Sequence, residues 1–348
     1  TNSLEMEKNM KNSFWKNKNV FITGINGFVG GNLAEIALLN GANVFGLQRN
    51  ADQRSFLFYS GLEKSILLVN GDIGDKDLLK GFFEEHNIDI CFHLAAQVEV
   101  GVAAKYPYLT WETNVRGTYV LLEAIREASN NFMAIITASS DKAYGEYPIE
   151  DLPYKEDYPL KPRYPYDTSK ACADLIAQSY STELYKLPIA ITRFANIYGP
   201  GQLNFSALIP DAIRCALGFN KFEARGDGRS IRDFLFVEDV AKLYMDMAET
   251  LSVDSSKIRG EVFNAGTGEE KTVSEILKYI YLKLNKKNEF DKILQQFKNK
   301  KNPTSEIRSQ LMNYDKVEKY FGWKPETNFD QGLEQTINWY KKYLNKNK

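Results

Sequence analysis

The chain reads Lys18-Asn-Val-Phe-Ile-Thr-Gly24-Ile-Asn-Gly27-Phe-Val-Gly30, a short run of β-forming residues followed by three regularly spaced glycines. Residues 29–40 then carry apolar side chains at helical spacing. Glycines between a strand and a helix let the backbone approach a pyrophosphate, and the helix N-terminus supplies N–H donors. The segment therefore predicts a strand–turn–helix unit that binds a dinucleotide. The predicted contacts are Gly24, Asn26, Gly27, Phe28, Val29 and Gly30.

Strand-like and helix-like segments alternate after this turn. Further strands are predicted at 42–47, 65–70, 88–94, 133–139 and 188–194, with helices at 76–86, 108–128 and 166–185. Such alternation is typical of an α/β fold with a parallel sheet. We therefore predict a doubly wound sheet of the Rossmann type.

The pattern changes near Gly199-Pro200-Gly201. We expect a dinucleotide-binding domain at 18–200, and a smaller substrate-binding lobe at 201–345 that begins with a helix at 206–217. The chain is expected to return to the first domain near 230–265, with a strand at 261–265. Residues 1–17 are predicted to form a tail, and the lysine-rich segment 285–302 a surface excursion.

Composition narrows the class of protein. Of 348 residues, 43% are hydrophobic and 26% charged, and the formal net charge is −1, which favours neither nucleic acid nor a membrane surface as a partner. No apolar run reaches the ~20 residues of a membrane span. Two histidines and three scattered cysteines (Cys91, Cys172 and Cys215) predict no metal site and a reducing, cytoplasmic location.

The end of the second predicted strand bears on the choice of cofactor. It reads Leu47-Gln-Arg-Asn50, without the carboxylate that often binds the adenosine ribose. Arg49 could instead meet a 2′-phosphate, so the pattern favours NADP over NAD and leaves both open. Asp72 and Ile73, after the third strand, are placed to touch the adenine.

Tyr166 and Lys170 are four residues apart at the start of a predicted helix and therefore share a face. A nearby ammonium lowers the pKa of a phenol, and the phenolate can accept a proton from a hydroxyl as hydride leaves for nicotinamide. Lys170 can also hold the nicotinamide ribose. Both residues are predicted to serve catalysis and cofactor binding.

Across residues 20–343 the chain resembles the extended short-chain dehydrogenases/reductases, and in particular the nucleotide-sugar 4,6-dehydratases. Besides the glycine turn and Tyr166 to Lys170, the matching segments are His93-Leu-Ala-Ala-Gln97, Glu112-Thr-Asn114 with Gly117-Thr118, Ser139-Ser-Asp-Lys142, Arg193-Phe-Ala-Asn196 with Tyr198-Gly-Pro200, Gly226-Asp-Gly228 with Arg232-Asp233, and Phe321-Gly-Trp-Lys-Pro325.

The resemblance implies a lyase that oxidises C4 of a nucleotide-linked hexose, loses water across C5–C6 and returns the hydride to C6. The tightly bound cofactor is regenerated in each turnover. Ser140 then hydrogen-bonds the C4 oxygen and Asp141 protonates the departing hydroxyl. Lys142 stands where many members carry the glutamate that acts as the C5 base, which leaves that role open. An epimerase or dehydrogenase of the same family is the alternative.

The resemblance also implies further contacts and partners. Leu94, Ala95 and Ala96 would border the cofactor, Asn196 and Arg308 the diphosphate, Arg232 the nucleoside, Leu208 the base and Gln97 the sugar; Arg193 and Arg225 are further candidate phosphate ligands. The segments point variously to CDP-, dTDP- and GDP-linked sugars, so the base stays open. A homodimer through 108–128 and 166–185, or a tetramer, and a role in polysaccharide or glycan biosynthesis are expected.

Overall fold

The computed structural model describes residues 14–129, 131–301 and 307–346. They form two compact units whose segments interleave along the chain. Unit 1 comprises the described parts of Thr1–Ser140 together with Pro165–Arg193 and Val240–Phe263. Unit 2 comprises Asp141–Tyr164, Phe194–Asp239 and the described parts of Asn264–Lys348.

Unit 1 is built on a seven-stranded sheet, and the fold class predicted from the alternating pattern is confirmed. The order is β10-β6-β5-β4-β1-β2-β3, and β1 pairs in parallel with both β2 and β4. The strands are β1 (Asn19–Thr23), β2 (Asn43–Gln48), β3 (Leu67–Asn70), β4 (Ile90–His93), β5 (Ala134–Ala138), β6 (Ile189–Phe194) and β10 (Val262–Ala265), whose last two residues belong to unit 2.

The strands of unit 1 are apolar along their length because helices cover the sheet. The buried core includes Phe21 of β1, Ile135 of β5 and Ile191 of β6, packed with Phe83 and Leu121 from the helices. The helices are α1 (Phe28–Leu39), α2 (Phe56–Tyr59), α3 (Lys76–His86), α4 (Val100–Lys105), α5 (Pro107–Thr110), α6 (Gly117–Glu127) and α7 (Pro165–Ser181).

The predicted helix at 108–128 is interrupted by a π-helical segment, Trp111–Arg116, between α5 and α6. Such segments are rare and are often found at functional sites. This one carries Asn114, whose side chain is buried. The sequence pattern predicted the helix but not this change of backbone geometry.

Unit 2 packs its helices around a separate core that includes Ile213, Ile280 and Tyr340. Helix α9 (Val237–Val253) begins in this unit and continues in unit 1. The other elements are α8 (Leu208–Ala216), α10 (Val273–Lys283), α11 (Lys287–Lys298), α12 (Asp315–Phe321), α13 (Phe329–Lys346) and the short strands β7 (Asn196–Tyr198), β8 (Ile231–Arg232), β9 (Phe234–Phe236) and β11 (Lys271–Thr272).

The prediction of a surface excursion at 285–302 is wrong for most of that segment. Residues Lys287–Lys298 form α11, and its Phe290, Ile293 and Phe297 are buried in the core of unit 2. Their spacing of three and four residues places them on one helix face. The abundant lysines masked this apolar stripe in the sequence.

The predicted N-terminal tail falls partly outside the described residues, which begin at residue 14. Trp15 is buried, and the backbone N–H of Asn17 donates to Gly41 O at 2.9 Å. Residues 14–17 therefore pack on unit 1 instead of extending into solvent, because the Trp15 indole offers a large apolar surface to bury.

Candidate active site

The glycine turn forms a tight backbone cradle at the end of β1. Gly24 has a φ of 71°, and Gly27 N donates to Gly24 O at 2.8 Å. A Cβ on Gly24 would lie 2.8 Å from Ala95 N, and one on Gly30 would collide with Gly24 O. Only glycine fits these two positions. Gly27 is the N-terminal cap residue of α1 and makes no side-chain capping hydrogen bond. The first N–H groups of a helix without such a cap are suited to binding an anionic ligand.

The hydrogen bonds of the Asn26 side chain indicate whether the turn is suited to a ligand. Its Nδ2 donates to Gln48 Oε1 at 3.0 Å and to Asn50 O at 2.9 Å. Its Oδ1, in contrast, is buried and has no hydrogen-bond partner. A buried acceptor without a partner is costly, and a dinucleotide hydroxyl would satisfy it. The residues of the turn therefore fit the cofactor predicted for them.

Many dinucleotide-binding folds carry a ribose-binding carboxylate at the end of the second strand. Here β2 ends with the amide side chain of Gln48. Gln48 is buried and donates through Nε2 to Asn70 Oδ1 at 2.9 Å. Arg49, the next residue, is exposed. Asp72 is exposed as well, and its Oδ1 accepts from Gly74 N at 2.8 Å. Ile73 is buried in the core of unit 1, so it presents little side-chain surface to a ligand.

The segment after β4 lies directly against the glycine turn. Leu94 N and Ala95 N both donate to Thr23 Oγ1, at 3.1 and 3.0 Å. The structure thus brings the predicted cofactor residues 94–96 to the end of β1. His93 contacts Thr23 Oγ1 through Nδ1 at 2.9 Å, and burial together with the charge of Lys170 lowers the pKa of His93 to about 3. This imidazole is neutral at physiological pH.

Tyr166 and Lys170 occupy the first turns of α7, and both are buried. Lys170 Nζ donates to Ala138 O at 2.8 Å, while Ser139 Oγ donates to Lys170 O at 3.3 Å. These bonds fix the start of α7 to the end of β5, which leads to Ser140. Burial lowers the pKa of Lys170 to about 8, and the charge of Asp174 opposes the shift.

Asn114 supports this arrangement and was not assigned a role from the sequence. Its Nδ2 donates to Ser169 Oγ at 2.9 Å, and Ser169 Oγ donates to Tyr166 O at 2.7 Å. Its Oδ1 accepts from Gln97 N at 2.7 Å. The amide thereby links α7 to the loop after β4. The Glu112-Thr-Asn114 match was visible in the sequence, but it did not show which groups the amide joins.

Gln97, the predicted sugar contact, is engaged in its own loop. Its Nε2 donates to Glu99 O at 3.0 Å and lies 3.3 Å from Thr110 Oγ1, and its Oε1 accepts from Glu99 N. The side chain is half-buried. Its amide thus stabilises the loop that leads into α4.

In unit 2, Asp141 and Lys142 open a short 3₁₀ helix, Asp141–Tyr144. Asp141 is buried, and its Oδ2 accepts from Gln310 Nε2 at 2.7 Å. Lys142 Nζ donates to Gln310 Oε1 at 3.1 Å. One buried amide therefore contacts both members of the predicted acid/base pair. Gln310 is remote in sequence, and no motif pointed to it.

The predicted substrate residues of unit 2 fall into two groups. Arg232 Nη1 donates to Arg308 O at 3.2 Å, and Asn196 pairs with Phe234 in the β7–β9 ladder, so these three lie close together. Arg225 donates to Ser206 O, two residues before the half-buried Leu208 at the start of α8.

Arg193 differs from the expectation that it is a phosphate ligand. It is buried in unit 1, where Nε donates to Asp174 Oδ2 at 2.7 Å and Nη2 to Asp174 Oδ1 at 3.0 Å. The bidentate pair occupies one edge of the guanidinium, and with 3% of Arg193 exposed little of the rest can reach a phosphate. The prediction is wrong for this residue because sequence alone did not reveal Asp174 as its partner.

The described residues contain neither a membrane-spanning helix nor a metal-binding cluster. Within 14–129, 131–301 and 307–346, no helix combines the length and apolar character needed to traverse a bilayer. Over the same ranges, no group of three or more His, Cys, Asp or Glu side chains is arranged to hold a metal ion.

The seven-stranded sheet, the glycine cradle and the Tyr166–Lys170 pair are features of the extended short-chain dehydrogenases/reductases. A family model described as GDP-mannose 4,6 dehydratase matches residues 21–336. Human dTDP-D-glucose 4,6-dehydratase is 33% identical over 275 residues, which cover 78% of this chain and 74% of the human protein. The chain belongs to the GDP-mannose 4,6 dehydratase family.

Solved structures with the same fold include both dehydratases and epimerases. The dTDP-glucose 4,6-dehydratase of Bacillus anthracis in complex with NAD is 28% identical, with a TM-score of 0.77 over 93% of this chain and 97% of that one. An epimerase from Methanothermobacter thermautotrophicus is 26% identical, with a TM-score of 0.82 over 96% of this chain and 95% of that one. Fold similarity alone does not separate the two reactions.

Proposed function

We propose that this protein is an NAD(P)-dependent nucleotide-sugar 4,6-dehydratase, which converts a nucleotide-diphosphate hexose into its 4-keto-6-deoxy derivative. The observation that carries the proposal is the buried Asp141 with Lys142, joined by one amide and directly following Ser140. An ionisable pair at this place supplies the acid and base that water loss requires and simple C4 redox chemistry does not. The named relatives support the same reaction.

Residues of unit 1 serve the oxidation of C4. Tyr166 removes the proton of the C4 hydroxyl, and Ser140 hydrogen-bonds the same oxygen. The positive charge of Lys170 favours the phenolate form of Tyr166. The bound dinucleotide supplies the chemistry of taking up a hydride from C4 and returning it to C6.

Residues of unit 2 serve the loss of water. The new C4 carbonyl acidifies the C5 proton, and we propose that Lys142, which stands where many members of the family carry the glutamate base, removes it. A lysine acts as a base only as the neutral amine. Asp141 gives a proton to the C6 hydroxyl, which leaves as water, and the C5–C6 double bond forms. Arg232, Arg308 and Asn196 would bind the diphosphate and nucleoside.

Arg49 favours NADP, although the Bacillus anthracis relative was solved with NAD. Support comes from the exposed side chain of Arg49 and from its neighbour Gln48, an amide at the strand end where many such folds carry the ribose-binding carboxylate. Calorimetric titration of the wild type and Arg49→Ala with both dinucleotides tests this. The substitution should weaken NADP binding and leave NAD binding unchanged; equal effects on both would contradict the preference.

An epimerase or a dehydrogenase on the same scaffold is the second candidate. It is favoured by Lys142, which replaces the glutamate of many family dehydratases, and by the fold similarity to an epimerase. Epimerisation leaves C6 hydroxylated, so the mass of the product separates the candidates.

The experiment is incubation with CDP-glucose, dTDP-glucose, GDP-mannose and GDP-N-acetylglucosamine in separate reactions, followed by mass spectrometry and NMR. Loss of one water from a single substrate would support dehydration and identify the base. A product that is an isomer of unchanged mass would identify the protein as an epimerase. An oxidised sugar product would identify it as a dehydrogenase.

A homodimer through α5, α6 and α7 is also proposed. Tyr108, Tyr119 and Leu175 on these helices and Leu184 after them are exposed large apolar side chains of unit 1. Exposed apolar side chains favour contact with another protein where they adjoin one another. Light scattering should give a dimer, or a tetramer of two such dimers; a monomer would contradict the proposal. The cytoplasmic location remains a prediction.

A further inference from the structure

We infer that Gln310 is a positioning residue for the water-loss step, in that it sets the orientation of both Asp141 and Lys142. The inference deepens the proposed function and rests on it. Gln310 is 1% exposed, and its side-chain oxygen and nitrogen each contact one member of the pair.

The two partners determine which way the Gln310 amide faces. Its Nε2 donates to Asp141 Oδ2 at 2.7 Å, and its Oε1 accepts from Lys142 Nζ at 3.1 Å. While Asp141 is ionised and Lys142 is protonated, before either takes part in the reaction, a flipped amide would oppose its oxygen to a carboxylate and its N–H groups to an ammonium, which can only donate. The pair and the amide therefore fix one another in a single arrangement.

The backbone around Gln310 is held by two other segments of unit 2, one at 231–233 and one at Tyr154. Gln310 N donates to Ile231 O at 3.2 Å, and Tyr154 N donates to Leu311 O at 2.9 Å. Asn313 N donates in turn to Tyr154 O at 3.0 Å, and Met312 N lies 3.4 Å from Asp233 Oδ2. A side chain on so constrained a backbone can hold a reacting group in place.

The 3₁₀ helix that carries Asp141 is tied to the same backbone. Tyr144, at its end, stacks on Tyr154 with ring centroids 4.8 Å apart, and Tyr144 OH donates to Asn264 Oδ1 at 2.8 Å. Asn264 Nδ2 donates to Tyr154 O at 3.0 Å. Gln310 and Asp141 thus extend from two segments that share Tyr154 as a neighbour.

The contact assigns separate tasks to the two oxygens of Asp141. Oδ2 accepts the amide N–H, so the proton of the neutral acid belongs on Oδ1, and Oδ1 is the atom that delivers it. After transfer, the Gln310 N–H stabilises the carboxylate that remains. Gln310 itself neither gains nor loses a proton and need not touch the sugar.

The test compares Gln310→Met and Gln310→Glu with the wild type and with Gln296→Met. Methionine keeps the length of the side chain and removes both contacts. Glutamate keeps an acceptor for Lys142 but removes the donor toward Asp141. Gln296 is a matched control in the same unit, because its amide accepts from Ala224 N and donates to Phe222 O.

Each variant is mixed with the substrate of the wild type. C4 oxidation is followed as absorbance of reduced nicotinamide, and elimination as loss of water by mass. Gln310→Met and Gln310→Glu should eliminate water about 100-fold more slowly, the cost of a misplaced catalytic group. Both should oxidise C4 at the wild-type rate and accumulate reduced cofactor. Gln296→Met should retain both steps.

Elimination at the wild-type rate in either Gln310 variant, or an equal loss of oxidation and elimination in both, would overturn the inference while leaving the proposed function in place. A wild-type protein that releases no water from any nucleotide hexose would instead remove the proposed function, and the inference with it.

Discussion

Lys170 Nζ donates to Ala138 O at 2.8 Å, so the ammonium of α7 is anchored to the end of β5, two residues before Ser140. The contact holds the charge in place while burial disfavours it and lowers the pKa of Lys170 to about 8. The buried charge of Lys170 therefore lowers stability, a cost that proteins often bear for groups that serve a function.

The pH dependence of the free energy of unfolding should reveal the cost of burying the charge of Lys170. The pKa of Lys170 is about 8 in the folded state and 10.5 as an unperturbed lysine, so between these values the unfolded chain binds more protons. Stability contributed by this group therefore rises with pH across that window, and the cost of the buried charge is complete below it. The Lys170→Met variant should exceed the wild type most in free energy of unfolding below about pH 8. Above that pH the difference in stability between the two proteins should shrink. Urea unfolding across this range measures the difference, and a pH-independent value would contradict the assignment.

Gly30→Ala should abolish dinucleotide binding. Its Cβ would collide with Gly24 O, so the turn must open and the cradle is lost. Gly81→Ala is the matched control: it lies within α3 in open space, and should stabilise the protein by about 0.5–1 kcal/mol without affecting binding. Calorimetric titration with NAD and NADP tests both variants, and an unchanged affinity in Gly30→Ala would argue against this turn as the binding site.

The sequence was most informative where local pattern and chemistry coincide. The strands of unit 1 could be predicted because their apolar runs alternate with helical patterns, and the glycine turn because its backbone geometry admits few other residues. Arg193 shows the limit. Its type is typical of phosphate binding, but its role is set by Asp174, whose position beside it is a product of the folded chain.

Tyr166→Phe should lower the rate of C4 oxidation by about 10²–10⁴-fold, because the phenol oxygen that accepts the proton is removed. The ring remains, so the start of α7 and the binding of the dinucleotide should be preserved. Stopped-flow absorbance of reduced nicotinamide measures the first effect and calorimetry the second. Normal turnover in this variant would exclude Tyr166 as the base.

Asp141→Asn should slow water loss far more than C4 oxidation. The substitution preserves the shape of the side chain and removes the proton donor. Incubation in D₂O should still give exchange of the C5 hydrogen, while formation of the 6-deoxy product falls. An equal decline of C4 oxidation, C5 exchange and product formation would show that Asp141 has no separate role as the acid.

Arg193→Met should destabilise the protein by about 3–5 kcal/mol, because the Asp174 carboxylate would stay buried without its cation. The double variant Arg193→Met/Asp174→Leu should recover part of this loss, since it removes the unpaired charge. Urea unfolding of both variants gives the comparison. If the single and the double variant were equally stable, the unpaired Asp174 charge would not be the cause of the loss, and the pair would contribute through packing alone.

Gln310 marks the second limit of sequence reasoning. An amide carries no charge and titrates at no pH, so its type gives no signal of function, and the segment around it lacks a glycine or a catalytic residue. The role inferred for it depends on the folded chain, in which Ile231, Tyr154 and Asp233 hold the backbone at 310–313 and Gln310 contacts Asp141. Asn114 is similar, in that its role depends on the π-helical segment that carries it.

The interleaving of the two units has a consequence for biosynthesis. The chain passes from one unit to the other after Ser140, Tyr164, Arg193, Asp239 and Phe263. On the ribosome, unit 1 therefore cannot be completed until Phe263 has emerged, by which time two segments of unit 2 have already been made. In many proteins an N-terminal domain folds before the next domain is translated, but this protein cannot follow that order. Both halves of the enzyme must mature late and nearly together.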